Sequence, residues 1–225
     1  MDAVDIRGVI FDLDGTLLNT LDDLAGAMNY VLQRCKLPVH PVDAYRYFIG
    51  DGVDMLVKRV LPSSAQDDKT FKRIKDAFIK RYQEYWCVKT TPYDGIEEMF
   101  DALHEKNLFL AILSNKPHLI TNETVRHFFG TRHFTACIGY GIFPKKPDPE
   151  AALYIASSMG IAPEKCLYVG DTGTDMQTAA AAGMPRVGVL WGFREENELW
   201  ENGAQWVVSW PSEVVDIVGN SVLVA

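Results

Sequence analysis

Basic residues are in short supply in this 225-residue sequence, with 22 Lys and Arg against 30 Asp and Glu and a formal net charge of −8. That balance argues against nucleic acid and anionic membrane surfaces as partners, because the long-range field repels polyanions. An anionic small molecule would have to be drawn in by a local cation. No apolar run approaches the ~20 residues of a membrane span, and no charged segment followed by an apolar one opens the chain. The expectation is a cytoplasmic protein with no membrane partner. Cysteine is scarce too: Cys35, Cys87, Cys137 and Cys166 show no C-x-x-C spacing, which removes the usual basis for a zinc site or a disulfide framework and leaves reduced thiols. Internal repeats and low-complexity tracts are absent. The 48% hydrophobic content is enough for a substantial core in one domain plus a smaller one.

What is present is concentrated near the start. Val9-Ile10-Phe11-Asp12-Leu13-Asp14-Gly15-Thr16-Leu17-Leu18 is an apolar run that ends abruptly in two carboxylates, a glycine and a threonine. A short run of this kind suits a buried parallel strand, and open α/β sheets place ligands just past the carboxyl ends of such strands. Asp14-Gly15 also suits a solvated turn. The chemical alternative is a metal-assisted phosphoryl-transfer site. The two-residue period of an extended chain puts Asp12 and Asp14 on one side, where both can address one cation and one phosphate. Gly15 would then allow a close backbone approach.

Three later segments have the same form. Leu108-Phe109-Leu110-Ala111-Ile112-Leu113 is a second buried-strand run, and it ends in Ser114-Asn115-Lys116, a hydroxyl and an amide suited to phosphate oxygens. Lys145-Lys146-Pro147-Asp148-Pro149 supplies a cation before an expected helix. Cys166-Leu167-Tyr168-Val169 runs into Gly170-Asp171-Thr172-Gly173-Thr174-Asp175, a third strand ending in acids. From Asp14 to Ser114 is 100 residues, far more than a crossover helix requires, whereas Ser114 to Lys146 is 32 and Lys146 to Asp171 is 25. An insertion therefore lies early. It reads as helical: Leu21, Leu24, Ala25, Met28, Val31 and Leu32 repeat at helical spacing, as do Phe71, Ile74, Phe78, Ile79, Tyr82 and Trp86. A shorter stripe runs through Met55, Leu56 and Val60, and Thr20-x-x-Asp23 suggests a capping box.

In order and position the four segments resemble the motifs of the haloacid dehalogenase superfamily of aspartyl phosphohydrolases, and the resemblance covers essentially the whole chain. It implies an α/β fold with a Rossmann-like parallel sheet, residues 1–16 and 87–225 forming the catalytic core and residues 17–86 an inserted α-helical cap of the C1 type. It also implies a phosphatase in which Asp12 attacks phosphorus and Asp14 serves as acid and base. Mg²⁺ would be held by the Asp12 side chain, the Asp14 backbone carbonyl and the Asp171 side chain, with Asp175 near the shell or capping the following helix. Thr16, Ser114, Asn115 and Lys146 would bind phosphate, although Thr16 also suits a cap or turn and Asn115 a loop-orienting role. Lys146 is preferred to Lys145 because the family pattern places this lysine directly before proline.

Ile49-Gly50-Asp51-Gly52-Val53-Asp54-Met55-Leu56-Val57, Ser114-Asn115-Lys116-Pro117 and Val189-Leu190-Trp191-Gly192-Phe193 look like the phosphoglycolate phosphatases within that superfamily. Leu18-Asn19-Thr20 departs from their pattern of an acid and a serine. Gly50, Asp51 and Gly52 form a candidate lid tip or a plain interhelical turn, and Lys58 and Arg59 are candidates for a substrate carboxylate or a solvated surface. His118 reads as a helix-start residue. The implied partner is a small phosphorylated metabolite, with 2-phosphoglycolate first and pyrophosphate or a sugar phosphate as alternatives, and the chain would be a monomer or homodimer. A phosphoglucomutase-type isomerase uses the same Asp pair. A non-enzymatic phospho-acceptor module lacks a hundred-residue insertion.

Overall fold

Apolar runs form the strands of the computed structural model, which describes residues 5–130 and 132–219. After β1 (Gly8–Phe11) and a two-residue β2 (Leu18–Asn19) come four helices: α1 (Leu21–Arg34), α2 (Tyr45–Phe48), α3 (Val53–Val60) and α4 (Asp68–Tyr85). The chain returns through β3 (Thr91–Pro92), α5 (Ile96–Glu105), β4 (Phe109–Pro117), α6 (His118–Phe129) and β5 (Ala136–Tyr140). It then runs through α7 (Glu150–Met159), β6 (Cys166–Gly170), α8 (Gly173–Ala181), β7 (Arg186–Val189), α9 (Glu196–Glu201), β8 (Trp206–Val208) and α10 (Pro211–Gly219).

Six strands make one sheet in the order β5-β4-β1-β6-β7-β8, every pairing parallel. The chain moves outward from β1 to β5 on one side, then returns to β6 on the other, so the order reverses beside β1. That switch point is where doubly wound sheets open a crevice. Register brings the chemistry there. Phe11 lies opposite both Ile112 and Val169, so Asp12, Ser114 and Asp171 emerge within two residues of one line across the strand ends. The expected parallel α/β core is the observed one.

Alternation along the strands divides the core in two. Val9 and Phe11 pack with Met99, Phe100 and Leu103 of α5 on one face, while Ile10 packs with Ala152 and Ile155 of α7 on the other. Phe100 makes edge-to-face contacts with Phe11, Phe129 and Phe134 at centroid distances of 5.4–5.6 Å, joining β1, α5 and α6. The inserted helices have a separate core. Leu24, Met28 and Leu32 of α1 face Ile74, Phe78 and Tyr82 of α4, each four residues apart and hence on one helix face. Among the described residues no helix is long and apolar enough to cross a membrane.

The insertion joins the core through a neck in which β2 and β3 pair antiparallel, Leu18 with Pro92 and Asn19 with Thr91. The expected capping box does not form here. Thr20 sits at the N-cap of α1 with ψ near 4°, and its hydroxyl takes no helix N–H. Asp23 is drawn away to the returning chain, accepting from the Lys89 and Thr90 backbone N–H groups at 3.0 and 2.8 Å and from the Thr90 hydroxyl at 2.7 Å. Buried backbone donors need acceptors, and that need prevails over a local cap.

Candidate active site

Asp12 leaves the end of β1 buried, with Lys146 Nζ 2.9 Å from its Oδ1 but off hydrogen-bond alignment, so that this oxygen has no hydrogen-bond donor. Asp12, Asp171 and Asp175 form an acidic triad whose ligand atoms lie within 4.8 Å of one another. Gly15 adopts φ 91°, and a Cβ there would overlap the Asp171 carboxylate. The close neighbour here is the Asp171 side chain.

Asp171 is held from two sides. The Thr16 hydroxyl donates to its Oδ1 at 2.9 Å and the Phe193 backbone N–H to its Oδ2 at 2.8 Å. The one hydroxyl hydrogen of Thr16, expected at a phosphate, is directed to Asp171 in this structure. Burial and the neighbouring Asp175 charge push the Asp171 carboxyl up to about 7, against those two hydrogen bonds. Burial likewise pushes Asp12 well above the carboxylate range; Lys146 opposes this, while Asp175 and Asp171 add to it.

Lys146 is buried and joins the acids. Its Nζ donates to Asp175 Oδ1 at 2.7 Å and to the Leu113 carbonyl at 3.3 Å. Burial alone would lower its pKa, but Asp12 and Asp175 raise it well above the ordinary lysine value. Lys145, by contrast, is partly exposed and faces Asp54 at 3.5 Å. Asp175 is not an N-cap: Thr172 takes that place and Asp175 completes a capping box at the third helical position, its Oδ2 accepting from the Thr172 N–H and hydroxyl. Both oxygens of Asp175 are thus engaged.

Ser114 accepts from the Lys116 N–H at 3.2 Å, leaving its hydroxyl hydrogen for a phosphate oxygen. Asn115 makes the loop-orienting contacts that were the alternative to a phosphate contact. Its amide donates to the carbonyls of Gly50 and Lys146, and its Oδ1 accepts from the Lys146 N–H at 2.9 Å, so it orients the lysine loop and touches the inserted helices.

The Gly50-Asp51-Gly52 turn between α2 and α3 lies against the strand ends. Gly50 and Gly52, at φ 115° and 83°, line a cavity of about 60 Å³ with Asp12, Asp14 and Ser114. Asp51 turns away, bound to Arg59 and to the Thr174 hydroxyl at 2.8 Å. Burial works against its ionisation, yet those contacts hold its pKa below the ordinary value. Further ties cross the same boundary, from Arg46 to the Gly192 carbonyl and from Arg194 to the Ile49 carbonyl, each 2.8 Å. Lys58 is exposed and absent from the cavity wall, because its place on α3 faces solvent. His118 begins α6, as expected, and its Nδ1 accepts from the Gly139 N–H.

Sequence reasoning passed over Lys116 and Tyr82. Lys116 Nζ donates to Asp14 Oδ1 at 2.7 Å and to the Tyr82 hydroxyl at 2.9 Å. The available signal was a lysine adjoining Ser114-Asn115 at the end of a buried strand; Tyr82 looked like ordinary stripe packing.

The chain is similar to known proteins in sequence and in fold. Residues 9–189 match the family model for haloacid dehalogenase-like hydrolases. The chain is 33% identical over 208 residues to a phosphoglycolate phosphatase of Salmonella typhi, spanning 84% of this chain and 82% of that protein. It is 30% identical to a phosphoglycolate phosphatase of Mannheimia succiniciproducens, over 92% and 96% of the two chains. A crystal structure from Lactobacillus delbrueckii subsp. bulgaricus, provisionally assigned as a phosphoglycolate phosphatase, superposes with a TM-score of 0.89 at 28% identity, covering 97% of this chain and 99% of that one. With the parallel sheet, the acids at its switch point and the helical insertion, these similarities establish that the chain belongs to the haloacid dehalogenase-like hydrolases.

Proposed function

We propose that this hydrolase is a Mg²⁺-dependent phosphatase that cleaves a small phosphomonoester through a phosphoaspartate on Asp12, with 2-phosphoglycolate as its substrate. The observation that carries this is the buried Asp12 carboxylate at the strand end, 2.9 Å from Lys146, grouped with Asp171 and belonging to the wall of a small cavity. The Asp12 carboxylate forms a bond to phosphorus as the ester P–O bond breaks, and Asp14 gives its proton to the departing oxygen. Asp14 then takes a proton from water, whose oxygen attacks the phosphoaspartate and releases phosphate, restoring Asp12. Ser114 holds an oxygen of the phosphoryl group. Lys146 offsets the charge gathered there.

The triad fits a hard divalent cation: its donors are all oxygen, one Asp12 oxygen lacks a hydrogen-bond donor, and the carboxyls are pushed up by burial and mutual repulsion. Asp12, Asp171 and the Asp14 carbonyl would hold it. Asp175 lies near that shell within the triad and also anchors Lys146. When bound, the cation supplies charge neutralisation for the carboxylates and phosphate.

Size supports the substrate. A cavity of about 60 Å³ admits roughly four to six water-sized groups, each needing ~10–15 Å³. A site of this size beneath the inserted helices favours a small leaving group over a phosphoprotein segment. A parallel hydrolysis screen tests this: 2-phosphoglycolate should give the highest kcat/KM, chelation should abolish turnover, and added Mg²⁺ should restore it. Full activity after rigorous metal removal would defeat the metal site, and a phosphopeptide outrunning every small metabolite would defeat the substrate class.

Stability against pH checks the acid cluster separately. Asp171 binds its proton up to about pH 7 in the folded chain but only to about 3.9 when unfolded. The folded state therefore holds the extra proton between these values. Stability of the metal-free protein should fall as pH rises through that window, by on the order of 4 kcal/mol at most. Added Mg²⁺ should raise Tm more at pH 8 than at pH 5. Equal gains at both would show that the cation does not bind these carboxylates.

A further inference from the structure

Lys116 is a buried cation, its side chain 4% exposed, with two of its three ammonium hydrogens directed to Asp14 and the Tyr82 hydroxyl. The third remains. Its ion pair with Asp14 and its bond to the Tyr82 hydroxyl hold the ammonium in place. Tyr82 comes from α4 of the insertion and Lys116 from β4 of the core, so their contact requires the two parts to be seated together. Burial pushes the Tyr82 phenol up to about 12, which leaves it a neutral O–H whose hydrogen is free to donate.

The wall around this pair is apolar, with Leu24, Val53, Leu56, Phe78, Ile79 and Ile120. Among the described residues, Lys116 is the only cationic side chain lining the cavity. The other nearby cations are engaged elsewhere, Lys145 with Asp54 and Arg59 with Asp51. A leaving group whose ester oxygen lies at Asp14 therefore presents its far end to one ammonium and one phenol in apolar surroundings. Several sugar hydroxyls placed there would lack partners. One terminal anion would not.

Building on the phosphatase reading above, we propose that Lys116 and Tyr82 form the leaving-group subsite, and that it takes the carboxylate of a short phosphorylated hydroxy acid. The Lys116 ammonium bridges that carboxylate and Asp14, and the Tyr82 hydroxyl donates to it. The subsite is complete only with the insertion seated, so a substrate bearing this carboxylate also favours closure.

The decisive measurement is a ratio, kcat/KM for 2-phosphoglycolate over kcat/KM for its uncharged counterpart 2-hydroxyethyl phosphate. Wild type should favour the carboxylate. Lys116→Met should lower the ratio by at least ~30-fold and Tyr82→Phe by about 5-fold, the sizes expected of a charge-assisted and a neutral hydrogen bond. Lys116→Arg should keep most of the preference. Tyr82→Phe removes one oxygen and keeps the test informative if Lys116→Met fails to fold. A ratio unchanged in both variants would overturn the subsite while leaving the phosphatase reading intact. Glycolate binding supplies an arm independent of turnover: glycolate, and not ethylene glycol, should raise the Tm of wild type and not of Lys116→Met. If no phosphomonoester is hydrolysed, the phosphatase reading falls, and the glycolate result alone decides the subsite.

Discussion

Asp12→Asn should lose at least ~10⁴-fold in kcat, the scale seen when a nucleophile is removed, while its Tm holds or rises. The two halves have one cause. The amide matches the carboxylate in size but is a poor nucleophile, so the barrier rises by about 5.5 kcal/mol or more. In the metal-free chain, however, Asp12 shares the single cation Lys146 with Asp175 and lies beside Asp171. Three buried carboxyl groups thus meet one ammonium, which keeps Asp175 when Asp12 is neutralised. Removing its charge relieves that crowding. Calorimetry in chelator beside single-turnover kinetics reads both quantities. Near-wild-type turnover would remove Asp12 from the nucleophile's role; a collapse in Tm would mean that its charge holds the strand ends together.

Lys146→Ala should cost both rate and stability, and Lys145→Ala neither to a comparable degree. Lys146 lies buried between Asp12 and Asp175, so its loss leaves two carboxylates facing one another without a cation. Breaking such a pair costs on the order of 3–5 kcal/mol, and loss of charge stabilisation at the phosphoryl group should cost roughly 10²–10³-fold in kcat. Lys145 is partly exposed and 3.5 Å from Asp54, a contact worth less than about 1 kcal/mol. Because Lys146→Ala risks unfolding, the Asp12→Asn/Lys146→Met double variant belongs in the set: it removes charge from both partners and should be more stable than Lys146→Met alone. The reverse ranking of the two lysines would shift the motif by one residue.

The three central strands β1, β4 and β6 were legible because each is a short apolar run whose residues are almost all buried, and their ends were legible because acids, a hydroxyl and an amide interrupt those runs abruptly. Asp12 and Asp171 stood out for that reason. What a short polar side chain bonds to was not legible. Thr16 follows the Asp pair as a phosphate donor would, yet its hydrogen goes to Asp171, 155 residues away. Asn115 has the right chemistry for phosphate but serves the Lys146 loop. Asp23 matched a local cap and instead serves Lys89 and Thr90. In each case the partner is set by register between distant segments, which local spacing does not encode. Lys116 was hidden by the same distance: its ion pair spans 102 positions, and only burial beside Asp14 distinguishes it from a solvated lysine.

The neck between β2 and β3 has a mechanical consequence. The chain leaves and re-enters the core through two strands lying side by side, only two residue pairs long, one of them containing Pro92. Two adjacent tethers behave as a hinge pin, resisting twist and sliding but yielding to rocking about a line across both. The helical lobe should therefore swing like a hatch. The Asp51–Thr174, Arg46–Gly192 and Arg194–Ile49 bonds cross between that lobe and the core, so a swing of this kind would have to break them.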